Sequence, residues 1–558
     1  MAELQVAKPQ EAKMKPTLGL TGVTVNAMAL IAPGAFLWIT FVVQAGYSYP
    51  SGMSMWAGIL AALALAFATA VSYSELNKLY PGAGSSYLFA EQAFLNHSKN
   101  FRFARMAKFV LGWGSHLYYW VYPGAMAATI GIMIGYIVGI FFPDTINSGT
   151  PGPVFMALVA IIAAFGISYI AYSGVQASTV TNFAINAIQI MALLIFSVLA
   201  ITYRFGHPEG SMGMALDGTK KVLHYAFSGD APAHPSAWSV VAPHGFNSVM
   251  LQATIAIFLL CGFESITSLG EEAKSPKKDI ARGVLLSLLI QGLFCYMFEY
   301  FAANYFLSSA YSMADAKGSA APIGDMMVII GNTLLGGHGQ AFMVIEAFTV
   351  FLALIGTTLA CINTGARVTY AMGRDKEVPE HFGILHGENL TPHRTIWTLA
   401  VISAVFGVIG ALYFFAGGSA PDDKTIATLP HNIWYAAGMS SNAYLAGLPN
   451  GLALVTLISN FGIFITYGLT NVICMVAYQE RDEFHGLKHM AIPMFGAIAN
   501  LACMAFYIIG PIEGLGSVKE PLMAVALAVV WGLYGAFYFA RNSKKLGRDT
   551  LTAKTKPA

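Results

Sequence analysis

Apolar residues run along this chain in blocks of about twenty or more, which is the length a helix needs to cross a hydrocarbon layer about 30 Å thick. Twelve blocks qualify: Gly19 to Gln44, Ser54 to Leu76, Ala107 to Phe141, Val154 to Ala171, Thr179 to Tyr203, Phe246 to Ser268, Val284 to Phe306, Ala341 to Ala366, Ile396 to Phe415, Gly451 to Ala477, Ala491 to Ile509 and Pro521 to Ala540. Barrel strands alternate apolar and polar residues with period two, whereas these runs are continuous, so the crossings are helices. The pattern predicts an all-α integral membrane protein with twelve transmembrane helices.

Composition agrees: 56% of the 558 residues are hydrophobic and 10% charged, against about 25% charged in soluble proteins. A net charge of +2 offers no footing for nucleic acid. The placement of charge is more informative. Connectors on one side of the twelve spans, with both ends of the chain, carry 24 of the 30 Lys and Arg residues; the other side has Arg204, Lys220, Lys221, Lys317, Lys424 and Lys519. Basic excess marks the cytoplasmic side, so both termini are expected inside the cell membrane. The first apolar stretch is long and lacks a clear cleavage site, which favours a retained span over a signal peptide. The five cysteines all lie in apolar blocks without metal-ligand spacing and read as small buried hydrophobes. Three long outer connectors, Phe205 to Gly245, Leu307 to Gln340 and Ala416 to Asn450, are expected to form caps or short interfacial helices. The histidines of the first, His207, His224, His234 and His244, read as solvated loop residues rather than metal ligands.

Helix breakers at membrane depth are tolerated only where protein or an aqueous cavity receives the freed backbone groups. The first span holds Ile31-Ala32-Pro33-Gly34-Ala35 near its middle, and the sixth holds Leu260-Cys261-Gly262-Phe263-Glu264. A half-helix starting after Pro33 aims the N–H groups of Gly34, Ala35 and Phe36 at an anionic group. Breaks five spans apart are what an inverted five-plus-five helix repeat with discontinuous helices 1 and 6 produces. The competing explanation is that Pro and Gly serve kinks and close packing in membrane helices generally. The repeat predicts a ten-helix core over residues 19–478, helices 11 and 12 over 479–541, and cytoplasmic tails over 1–18 and 542–558.

Glu264, Glu299, Glu346 and His116 are the ionisable groups well inside the spans. A charge at bilayer depth costs about 3 kcal/mol, so each must be neutral, paired or facing water. Glu264 is the leading candidate to exchange a proton as a cavity opens to either side; otherwise it is a protonated carboxyl bonding helix to helix. Glu299 and Glu346, toward the outer ends of their helices, are further proton or cation candidates. His116 reads as a buried histidine satisfied by a neighbouring carbonyl. The mixed charges from Glu271 to Arg282 read as a solvated cytoplasmic loop.

Three stretches resemble the amino acid-polyamine-organocation superfamily of permeases. They are Ser72-Tyr73-Ser74-Glu75-Leu76 with Tyr80-Pro81-Gly82-Ala83-Gly84-Ser85-Ser86-Tyr87, then Gly262-Phe263-Glu264 with Glu271-Glu272-Ala273-Lys274-Ser275-Pro276-Lys277-Lys278-Asp279-Ile280, and Gly365-Ala366-Arg367-Val368-Thr369-Tyr370-Ala371-Met372-Gly373-Arg374-Asp375 with Pro379. The resemblance implies a substrate held mostly by backbone between the first and sixth helices, at Ile31 to Ala35 and at Cys261, Gly262 and Phe263. It implies proton coupling or pH sensing at Glu264 and an aromatic gate at Phe258. In the fold so implied, the turn from Glu271 to Arg282 would instead latch helices in the outward-facing state. Thr357 and Thr358 fall where sodium-coupled proteins of this fold bind a cation, although threonine also bonds back to its own helix. Gln189 stands where some proton-coupled relatives carry a lysine.

The expected activity is secondary active transport of amino acids or related amines by alternating access, coupled to a proton or to sodium, or operating as exchange. The partners are then a small-molecule substrate and membrane lipids, without a cofactor. An inorganic-ion (cation or chloride) or polyamine transporter on the same fold is the alternative. No HExxH, GxSxG or carboxylate pair of convincing spacing supports an enzyme.

Overall fold

The computed structural model describes residues 16–45, 52–95, 103–141, 151–207, 213–216, 221–224, 236–307, 311, 313, 316, 321–412, 450–512 and 519–547. Most of both tails, Lys220, Lys317, Lys424, His234 and nearly all of the Ala416 to Asn450 connector therefore lie outside the described residues.

Within them, helices form wherever an apolar block was read. They are α1 Leu20–Ile31, α2 Pro33–Ala45, α3 Met55–Leu79, α4 Ser86–Leu95, α5 Ala104–Tyr119, α6 Tyr122–Phe141, α7 Pro151–Tyr172 and α8 Val175–Gly206. After the first long connector come α9 Phe246–Leu260, a 3-10 segment Phe263–Leu269 and α10 Pro276–Phe306, which winds as a π-helix over Leu288–Tyr296. The remainder are α11 Pro322–Leu334, α12 Gly339–Arg374, α13 His393–Leu412, α14 Asn450–Tyr478, α15 Ile492–Ile512 and α16 Lys519–Leu546. Among the described residues, eleven helical stretches are long and apolar enough to cross a membrane. The first crossing read from the chain is instead delivered in two pieces, α1 and α2.

The structure departs locally from the reading of the chain in three places. The third span turns at Trp120 and Val121, because Pro123 at the start of α6 lacks the N–H that would continue α5. The first long connector contains an antiparallel hairpin, Gly213–Leu216 with Lys221–His224, as well as a short helix Ala237–Val241; only caps and helices were expected there. In the second connector the expected cap helix is α11. His207 and His244, expected to be solvated, bond the carbonyls of Tyr203 and Ser239 at 2.8 Å each.

The outer surface suits lipid. On α7, Val154, Leu158, Ile162, Phe165 and Tyr169 recur every three or four residues and all face outward. On α8 the same outward stripe, through Phe183, Met191, Leu194 and Val198, is opposed by buried Asn182, Asn186 and Gln189. A polar interior behind an apolar exterior is the amphipathicity of a membrane protein with a functional core. At the centre stands α12, packed on α1, α2, α6, α8 and the 3-10 segment.

Candidate functional site

The first break follows from one residue without an N–H. Helix α1 ends at Ile31, Ala32 takes the left-handed conformation with φ 31°, and Pro33 starts α2. Carbonyls of the last turn of α1 then lack helical donors. Side chains from two other helices supply them. Thr357 Oγ1 donates to Leu30 O at 2.7 Å and Tyr296 Oη to Ile31 O at 2.6 Å, while Gln291 Nε2 at 3.2 Å is a second donor to Met28 O, which still accepts the Ala32 N–H at 3.1 Å. Gly34 lies beside Gln189, where a Cβ would meet Oε1 at 3.2 Å. Ala35 is helical in α2.

The second break requires glycine. Helix α9 stops at Leu260, Cys261 is extended, and Gly262 has φ 121°, a value that side-chain-bearing residues rarely adopt. A Cβ on Gly262 would lie 2.7 Å from Leu30 Cγ and 3.0 Å from the Leu30 carbonyl carbon. The two interruptions are therefore in direct contact at Gly262 and Leu30, where there is no room for a methyl group.

Beyond Gly262 the 3-10 segment turns Glu264 back toward the break. Its Oε2 accepts from the Gly262 N–H at 2.9 Å and from Tyr467 Oη at 2.5 Å, and its Oε1 accepts from Tyr119 Oη at 3.0 Å. The carboxyl is completely buried. Every donor in this cage is neutral, which satisfies a carboxylate by hydrogen bonds without a counter-ion. Tyr hydroxyls also accept, so the same cage receives the protonated acid once one of them rotates. Phe263 walls the cage, its ring 5.2 Å from that of Tyr467 and 6.1 Å from that of Tyr73. Phe258 is buried against Tyr122, centroids 5.0 Å apart, and Cys261 Sγ donates to its carbonyl at 3.1 Å.

The other candidates divide. Thr357 joins the first break, while Thr358 bonds back to Leu354 O at 2.6 Å within α12. Glu299 is buried with Oε2 unpartnered, and Glu346, close enough to act on it electrostatically, takes the Thr349 hydroxyl at 3.2 Å. No hydrogen bond among the described residues links either acid to the breaks. His116 was expected to bond a carbonyl; instead its ring stacks on Trp120 at 4.1 Å, Nε2 lies 3.5 Å from Thr369 Oγ1, and Nδ1 is unpartnered. Trp113, Trp120 and Trp531 pack around the ring, and neither of its nitrogens bonds a carbonyl.

Tyr119, Tyr467, Tyr296 and Gln291 were not singled out from the chain. Buried tyrosine and glutamine need partners, but nothing local names the partner. The π-helical winding that presents Gln291 and Tyr296 was equally silent.

The three family-like stretches meet at one end of the molecule. Glu272 forms a bidentate ion pair with Arg367, at 2.7 and 2.9 Å, and both are buried. The solvated-loop reading therefore fails for Glu272, and Glu271 also pairs with Arg374 at 3.2 Å. Gly270 abuts the backbone of Gly82, and Ser85 Oγ shares a 2.6 Å hydrogen bond with Thr267. Residues preceding α1 are strapped to the same loop: Thr17 and Leu18 N–H groups donate to Glu272 O at 2.8 and 2.9 Å, and Lys274 N–H donates to Leu18 O at 2.7 Å.

Comparison with known proteins places this geometry. The chain is 26% identical to the low-affinity putrescine importer of Escherichia coli (strain K12) over 95% of its own length and 94% of the relative's. It is 26% identical to a branched-chain amino acid permease of Bacillus subtilis (strain 168), covering 73% of this chain and 77% of that protein. A methylthioribose transporter of the same organism is 25% identical over 63% of this chain and 66% of the relative. The family model described as "Amino acid permease" matches residues 17–534, so this multi-pass membrane protein, with its two touching helix breaks, belongs to the amino acid permease family of the amino acid-polyamine-organocation superfamily and is a transporter rather than an enzyme.

Proposed function

We propose that this permease is a secondary active transporter of the cell membrane that imports or exchanges amino acids or related amines by alternating access. The observation that carries the reading is the contact of Gly262 with Leu30, which joins two interrupted crossings into one polar site. The end of α1 offers carbonyls to an ammonium group, and the first turn of α2 offers the Gly34 and Ala35 N–H groups to a carboxylate. Ile31, Ala32, Pro33, Gly34 and Ala35 form one wall of this site, and Phe258, Cys261, Gly262 and Phe263 the other. The names of the putrescine and branched-chain amino acid relatives support the substrate class.

In this reading there are twelve crossings, α1 with α2 counting as the first, related by an inverted five-plus-five repeat over residues 19–478, with helices 11 and 12 added over 479–541. Both termini are cytoplasmic. Glu264 carries the coupling proton, with Glu299 and Glu346 as secondary proton sites; Thr357 is better placed than Thr358 for a cation. The Glu272–Arg367 pair closes the cytoplasmic side. Binding drives alternation only through unequal affinity for the two states.

Uptake into proteoliposomes tests this. Labelled leucine or putrescine should accumulate and compete with unlabelled amines. Salt flux that amines do not inhibit would replace this reading with that of an ion carrier. Glu264→Gln, which preserves the shape of the cage, should fold normally and leave uptake insensitive to external pH. Retention of the wild-type pH profile would remove Glu264 from the coupling role.

A further inference from the structure

Resting on that reading of the site, the π-helical stretch of α10 has a function of its own. Gln291 and Tyr296 are five residues apart. In an α-helix that spacing would put them about 140° apart around the axis. A π-helix repeats near i to i+5, so here they come round to the same side. Both side chains reach the end of α1, Gln291 to Met28 O and Tyr296 to Ile31 O. Thr357 bonds Leu30 O between them, so Met28, Leu30 and Ile31 each accept from a neutral side chain.

The amide orientations in this cluster are determined by its own bonds. Asn186 Nδ2 donates to the carbonyls of Val25 and Asn182, so its Oδ1 must accept. It accepts from Gln189 Nε2 at 2.7 Å and from Gln291 Nε2 at 2.9 Å. Gln291 Oε1 is thereby left buried without a partner, one π-turn from Tyr296.

We propose that Tyr296 is a placeholder for the substrate's ammonium group: its hydroxyl bonds the Ile31 carbonyl, and an amine ligand displaces it from there toward the unpartnered Gln291 Oε1. The device makes an amine compete with a protein hydroxyl, so occupancy of the Ile31 carbonyl reports whether the transporter is loaded. A ligand without an ammonium group does not displace Tyr296.

Tyr296→Phe keeps the ring and removes the competitor. Titration of the purified full-length protein in lipid nanodiscs with leucine, putrescine and 4-methylpentanoate, the deaminated counterpart of leucine, tests the proposal. The variant should bind the amines about fivefold more tightly, the equivalent of one hydrogen bond, and 4-methylpentanoate no differently. Amine affinity that is unchanged or weaker in the variant overturns the proposal while leaving the site intact. Wild-type protein that binds neither amine removes the underlying site reading and this proposal with it. Should the variant fail to fold, 3-fluorotyrosine at position 296 of the otherwise native chain gives a fluorine resonance that must shift when leucine or putrescine saturates the site. A resonance that stays put overturns the placeholder role.

Discussion

Replacing Gly262 with alanine is expected to abolish uptake and to lower the melting temperature. Two costs combine. At φ 121° a side chain brings backbone strain of about 1–3 kcal/mol. The added methyl also enters a space where Leu30 side-chain and backbone atoms stand 2.7 to 3.0 Å away, and overpacking of that kind costs about 1–3 kcal/mol more. The only relief is to separate the two breaks, which dismantles the site. Gly166→Ala is the matched control, since its Cβ would meet nothing within 4 Å. It should leave uptake and melting temperature unchanged. Wild-type uptake by Gly262→Ala would mean that contact between the breaks is dispensable.

The second large effect concerns Glu272 and Arg367. Glu272→Gln leaves a buried guanidinium without its counter-ion, which typically costs about 3–5 kcal/mol. Loss of Arg367 strands the carboxylate in the same way. Replacing both with apolar residues of similar volume, Glu272→Leu with Arg367→Met, should recover most of the stability, because neither charge then needs solvating. In the single variants, amide exchange should rise at Thr17, Leu18, Glu272, Ala273 and Lys274, whose N–H groups bond within this strap and loop. Equal stability in the single and double variants would show that the pair is not coupled.

How far the molecule was legible beforehand depended on whether a signal was local. The crossings could be read because twenty apolar residues in succession have few other uses, and both breaks because Pro33, Gly262 and Glu264 are anomalies within such runs. Glu264 stood out by its charge. Its partners did not: Tyr119 lies 145 residues before it and Tyr467 203 residues after it, and in an aromatic-rich membrane chain tyrosine ordinarily signals packing. The role of Glu272 was open in the same way, since a mixed-charge loop looks solvated until the buried Arg367 is placed opposite. Winding was invisible as well. Leu288 to Tyr296 has no composition that distinguishes a π-turn from an α-turn, yet that winding decides which side chains reach Ile31.

The strap from Thr17 and Leu18 to the Glu272–Lys274 loop joins the residue stretch entering α1 to the one leaving the 3-10 segment. Three backbone hydrogen bonds thereby tie α1 to the 3-10 segment, so a tilt of one strains the other. A bulky fusion placed close to residue 16 is therefore expected to slow uptake into proteoliposomes.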